Sequence, residues 1–223
     1  MNKENQLTAA EMRELDDYCH ENFIELVPSL STFGHLYHLL QSEKYKHLCE
    51  LEDYHPKEPW LIERMYHHTI DAYNPESFKL IKSLIDQYIP LFRSNRFNIC
   101  CDETFDLCNG RNKGKDKAEA YFTFLIKIIE YVQKQGKQVM MWGDILLHNP
   151  ELLEKMPKNI TVLNWDYSAT PNEEGVKTIA NMNQPQILCP GTSAWNYIVP
   201  DFNTAKSNIT SFAKYAKTYN ALG

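Results

Sequence analysis

The sequence predicts an α/β protein on parallel strands, of the (β/α)8 TIM-barrel type in incomplete form, with about five strands and flanking helices. Three observations predict it. Short, almost continuously apolar runs alternate with amphipathic helical segments, as parallel strands buried on both faces and their crossover helices should. Polar and aromatic residues collect just after each apolar run. The 223 residues, 43% of them hydrophobic and free of low-complexity tracts, suffice for one domain over 1–223 with a sizeable core.

Taken in order, Thr8-Ala9-Ala10-Glu11 is a capping box that opens a helix with Met12, Leu15 and Cys19 on its apolar side. Phe23 to Pro28 reads as the first strand, closing on Ser31-Thr32-Phe33-Gly34-His35, and a helix follows from Leu36 to Leu40. Glu50 to Asn74 reads as an irregular excursion. Asn74-Pro75-Glu76 starts a helix by N-cap and N1-proline logic that runs towards Phe92. Strand 97–102 is then followed by helix 115–134, and strand 138–142 by a short helix around 150–156. Strand 160–165 leads to helix 172–182, and strand 186–190 to helix 204–219. Eight strands close such a barrel, so five mean either a different open α/β sheet or, as is expected here, a barrel without its first two strands and its last. Asn220 to Gly223 resembles a turn feeding a further strand.

Charge and composition exclude several classes. The net charge is −6 and the 23 basic residues are scattered, which is unlike a nucleic-acid-binding face. No run is long and apolar enough for a membrane span and no signal core follows Met1, so a cytoplasmic chain is expected. The six cysteines form no CxxC pair and read as reduced, buried thiols. A metal-dependent hydrolase built on His55, His67 and His68 is disfavoured, because tandem histidines do not share a helix face and no HxH or HExxH spacing occurs. No cofactor is called for.

The strand ends carry the chemistry. Adjacent strand side chains point to opposite faces, so the neighbouring carboxylates Asp102 and Glu103 can serve one substrate only where a strand ends and the chain turns. His35, then Asp102 and Glu103, then Trp142 and Asp144, then Trp165, Asp166 and Tyr167, then Trp195 and Asn196 all follow their strands on the carboxyl side. In a barrel they would face one rim, and the indoles among them suit the apolar faces of sugars.

These residues resemble the β-N-acetylhexosaminidases of glycoside hydrolase family 20. Glu25 to His35 is similar to that family's third-strand segment ending in Gly-His, and Phe97 to Glu103 to its fourth strand with the Asp-Glu pair. Trp142-Gly143-Asp144, Asn164-Trp165-Asp166 and Thr192 to Asn196 resemble strand ends five, six and seven. The resemblance implies exo-acting removal of terminal β-linked N-acetylhexosamine from glycans or glycosides by substrate-assisted, retaining catalysis, in which the sugar's own acetamido oxygen attacks its anomeric carbon. It implies Glu103 as general acid and then base, and Asp102 as the carboxylate that orients the acetamido N–H and faces the developing positive charge. It implies Trp142 and Trp165 as walls around the acetamido methyl, His35 as a hydrogen-bond relay behind the acidic pair, and Asn196 on the sugar hydroxyls. Either Tyr167 or Tyr197 could hold the acetamido oxygen. The family's first-strand Arg and last-strand Trp have no counterpart here, so a catalytically silent relic or sugar-binding remnant is the alternative expectation.

Overall fold

The computed structural model describes residues 6–51, 69–195 and 198–223. Most of the expected excursion, including His55, His67 and His68, lies outside the described residues, as do Asn196 and Tyr197. Two compact units divide the chain, Met1–Val139 and Met140–Gly223.

The first unit holds helices α1 (Ala9–Glu21), α2 (Tyr37–Leu40), α3 (Pro75–Tyr88) and α4 (Lys117–Lys134), and strand β1 (Arg96–Asn98). Their starts follow local chemistry. Thr8 and Glu11 form the reciprocal capping box, Asn74 caps α3 ahead of Pro75, and Asp116 accepts the Glu119 amide at the head of α4. Helix α4 buries Ala120, Tyr121, Phe124, Leu125, Ile128, Ile129 and Val132, a 3–4 spacing that turns one stripe inward. Phe33 stacks on Tyr121 at 5.4 Å and tilts against Phe124 at 4.8 Å, while Phe78 meets Phe124 edge-on at 6.3 Å. Each fully buried side chain of this kind contributes about 1.5–3 kcal/mol.

Three expectations are corrected in this unit. Helix α1 does not turn Leu15 inward; Leu15 is 41% exposed, and Asp16 is the buried residue. The Asp16 carboxylate accepts the Arg93 amide at 3.2 Å and its guanidinium at 3.0 Å, which draws that face in. Residues 23–28 form no ladder. Phe23 is fully exposed with φ at 60°, and pairing is confined to a parallel bridge at Ser29, where Asn98 donates to Pro28 (2.9 Å) and Leu30 donates to Asn98 (3.0 Å). The expected strand 97–102 stops at Asn98. The Asn98 side chain accepts the Cys100 amide at 2.9 Å, and the chain leaves the extended region at Cys100 and Cys101.

The second unit contains strands β2 (Gln138–Trp142, whose first residues close the first unit), β3 (Thr161–Asp166) and β4 (Gln186–Pro190). β2 pairs parallel with β3 (Met140 with Thr161, Trp142 with Leu163), and β3 with β4 from Val162–Gln186 to Asp166–Pro190. Helices α5 (Asp144–His148), α6 (Pro150–Lys155), α7 (Glu173–Asn181) and α8 (Phe202–Thr218) form the connections and flanks; α5 was not anticipated. Val176 of α7, Leu188 of β4 and Phe212 and Tyr215 of α8 form one buried cluster. At the last residues Leu222 donates to Gln186 at 2.8 Å, and Leu188 donates to Gly223 at 2.9 Å, alongside β4. Four regular strands are present among the described residues rather than five.

Asn208 of α8 locks the carboxyl ends of β3 and β4 together. It is fully buried, donates to the carbonyls of Asp166 (2.9 Å) and Ser168 (2.7 Å), and accepts the Gly191 amide (3.0 Å). Asn208→Leu keeps the branched shape and orphans all three partners, each worth roughly 1–3 kcal/mol when buried. Urea unfolding is expected to show a loss of about 3 kcal/mol or more.

Candidate active site

The acidic pair sits on a strained turn that the surrounding residues over-determine. Cys100, Cys101 and Glu103 have φ values of 59°, 65° and 48°, and His35, on the facing segment, has 56°. A non-glycine residue in this left-handed region carries about 1–2 kcal/mol of steric cost, and such strain persists only where the packing enforces it. Here the Tyr121 hydroxyl donates to the Cys101 carbonyl at 2.8 Å, and the Thr32 hydroxyl donates to the Ile99 carbonyl at 2.6 Å. The Cys101 thiol lies 3.3 Å from the Thr32 oxygen, and the Cys100 thiol 3.2 Å from the Ser29 oxygen.

The turn brings Asp102 and Glu103 to one imidazole. His35 Nε2 lies 3.2 Å from Asp102 Oδ2 and 3.2 Å from Glu103 Oε2. The three side chains are 37%, 16% and 19% exposed, so they are shielded yet reachable from solvent. The hydrogen bonds to Asp102 and then Glu103, only partly opposed by burial, push the His35 pKa up from 6.5 to about 10. At neutral pH His35 is therefore an imidazolium, held between Asp102 and Glu103.

The segment after Glu103 is held by a polar knot that the sequence reading did not find. Glu50, fully buried, accepts the Asn112 side chain at 2.7 Å and the Asn112 amide at 3.0 Å. Asn112 also donates to Asp71 at 2.7 Å, and the Arg111 amide donates to the Glu50 carbonyl at 2.8 Å. Gly110 passes so close that a Cβ there would sit 2.1 Å from the Glu50 carbonyl oxygen. The one sequence signal was the run Asn109-Gly110-Arg111-Asn112 behind the acidic pair.

In the second unit the structure groups Trp165, Tyr167 and Trp195. Trp165 stacks on Tyr167 at 4.9 Å, and Tyr167 meets Trp195 edge-on at 4.6 Å. Gly191 lies beneath them, where a Cβ would come within 2.3 Å of the Tyr167 ring. Trp195 is 56% and Tyr167 38% exposed, so ring surface remains open to solvent. Asp166 turns to its own loop, accepting the Ser168 amide at 2.8 Å and the Asn172 amide at 2.9 Å. Trp142 ends β2 half-buried, and Asp144 opens α5.

Comparison with known proteins now decides the family. The profile described as "Glycosyl hydrolase family 20, catalytic domain" matches residues 1–222. The chain belongs to glycosyl hydrolase family 20. Among the curated relatives, a beta-hexosaminidase of Porphyromonas gingivalis is 28% identical over 199 residues, covering 83% of this chain and 23% of that protein. Hexosaminidase D of Bos taurus is 24% identical over 173 residues, covering 72% of this chain and 46% of that protein. The chain thus spans less than half the length of these curated relatives. The Flavobacterium johnsoniae chitobiase structure superimposes with a TM-score of 0.69 at 23% identity, covering 86% of this chain and 29% of that one. The fold is therefore the α/β-barrel type of the family 20 catalytic domain, represented here by part of its strands.

Two outcomes are expected of this site. Because the folded pKa of His35 is raised, its contribution to stability is complete below about pH 6.5 and is lost as pH rises through about 10. Unfolding midpoints of the protein and of His35→Gln should therefore differ most near pH 6 and converge above pH 10. Secondly, Cys101→Val should unfold far more easily than Cys101→Gly. A β-branched residue is disfavoured at positive φ and glycine is not, and the difference expected in denaturant titrations is about 2 kcal/mol.

Proposed function

We propose that this chain carries the catalytic pair of an exo-acting β-N-acetylhexosaminidase, which removes terminal β-linked N-acetylglucosamine or N-acetylgalactosamine with retention of configuration. One observation carries this reading: His35 Nε2 lies 3.2 Å from Asp102 and 3.2 Å from Glu103. The family membership and the curated hexosaminidases among the relatives support it.

The chemistry follows from adjacency. The acetamido oxygen of the substrate is the nucleophile, so the protein does not supply one. Asp102 accepts the acetamido N–H, holds the group in line with the anomeric carbon, and sets a negative charge beside the oxazolinium that forms. Glu103 takes up the proton it shares with His35 Nε2, gives it to the departing glycosidic oxygen, and then takes one from the water that opens the oxazolinium. The His35 cation offsets the mutual repulsion of the two carboxylates, and its single Nε2 fixes both orientations. In the second unit, the exposed faces of Tyr167 and Trp195 beside Trp165 offer the apolar stacking surface that sugar rings use.

The test uses the full chain with 4-nitrophenyl N-acetyl-β-D-glucosaminide and an unactivated alkyl N-acetyl-β-D-glucosaminide. Glu103→Gln should lower the rate on the alkyl substrate by roughly 10²–10⁴-fold, the usual worth of a positioned acid, and affect the nitrophenyl substrate less. Asp102→Asn should depress both alike, and the first product seen by proton NMR should be the β-anomer. Wild-type rates equal to those of Glu103→Gln at background level would leave a fragment without turnover.

A further inference from the structure

We propose that His35, Asp102 and Glu103 form a binding site for zinc or a chemically similar transition-metal ion, one that blocks the acidic pair rather than assisting it. The argument is geometric. A four-coordinate zinc with bonds of about 2.0–2.2 Å holds its ligand atoms roughly 3.3–3.6 Å apart. His35 Nε2 already stands 3.2 Å from Asp102 Oδ2 and 3.2 Å from Glu103 Oε2, so two edges of that tetrahedron exist before any ion arrives. The three donor atoms all lie within 4.8 Å of one another. Closing the third edge needs a carboxylate movement of about 1.5 Å or less, from 4.8 Å to the tetrahedral spacing.

The donor set selects the ion. One imidazole nitrogen with two carboxylate oxygens suits zinc, cobalt or copper, whereas magnesium and calcium require six or more oxygens. Three protein ligands leave a fourth position for water, and all three side chains are partly exposed, so an ion can enter. The backbone is set in advance: His35 and Glu103 are both held at positive φ, and the intervening turn is pinned by Tyr121 and Thr32. A single imidazole–carboxylate pair also occurs elsewhere, where His47 Nε2 lies 3.0 Å from Glu76 on an exposed surface. It lacks the second carboxylate and serves as an internal control.

The ion would replace the shared Nε2 hydrogen, which is released to solvent as a proton on binding, and would engage the carboxylate oxygens that must accept and donate protons. Inhibition follows from the proposed roles of Asp102 and Glu103 and rests on that reading. Ion binding itself does not, so it is measured without substrate.

The experiment titrates the chelator-treated full chain with zinc by calorimetry and with cobalt(II) by visible absorption. One ion per chain is expected, with the intense visible bands of four-coordinate cobalt, bleached by added zinc and unaffected by magnesium. His35→Gln and Glu103→Gln should each weaken this site by about tenfold or more, since even outer-shell changes cost 10–100-fold. His47→Gln and the His67→Gln/His68→Gln double variant should retain it. The proposal is overturned by no binding to the wild type, by the pale spectrum of six-coordinate cobalt, or by equal affinity in wild type and Glu103→Gln, the variant that decides should His35→Gln not fold. Zinc binding without glycosidase activity would refute the functional reading alone; activity without zinc binding would refute this one alone.

Discussion

A single imidazole nitrogen shared by two neighbouring carboxylates is the constraint on which the site depends. Two carboxylates side by side repel each other, and adjacency on an extended strand would point them apart. The chain resolves both problems at one place. A turn through Cys100, Cys101 and Glu103 in the left-handed region swings the two side chains to the same side, and His35 supplies the compensating charge. The backbone strain of that turn is offset by groups that serve no chemistry themselves: the Tyr121 hydroxyl from α4, the Thr32 hydroxyl, and the aromatic stack of Phe33 on Tyr121. Core packing and site geometry are thus one construction in the first unit, linked through Tyr121.

The second unit follows another logic. Its parallel strands are in plain register, and the interest lies in what happens as they end. Asn208 gathers the carboxyl ends of β3 and β4 from below, Asp166 folds back on its own loop, and Gly191 leaves room for the rings of Tyr167 and Trp195. The aromatic cluster therefore stands on a hydrogen-bonded base rather than on a loose loop. The same principle recurs after Glu103, where buried Glu50 ties down Asn112 through both side chain and backbone.

The elements most legible in the sequence were those whose cause is local. Strands β2, β3 and β4 fall within about a residue of their apolar runs, and helices begin at Thr8, Asn74, Asp116, Asn172 and Asp201 because each side chain caps free amides. The Asp102–Glu103 pair and His35 were likewise visible, and the structure brings them together. What failed was the inference from apolar to extended. Ile99, Cys100 and Cys101 are as buried as any strand residue, but Cys100 and Cys101 lie in the left-handed region, and hydrophobicity carries no information about φ. Residues 23–28 read as a strand but pair only at the edge of Ser29. Glu50 escaped notice because its partners, Gly110 to Asn112, lie about sixty residues away, and no local pattern announces such a contact.

The central claim is that His35 is a cation shared between Asp102 and Glu103. Nitrogen-15 NMR of the His35 ring across the pH range tests it directly. Both ring nitrogens should remain protonated through neutral pH, with deprotonation near pH 10. A ring that loses its proton near 6.5, as an ordinary histidine does, would contradict it.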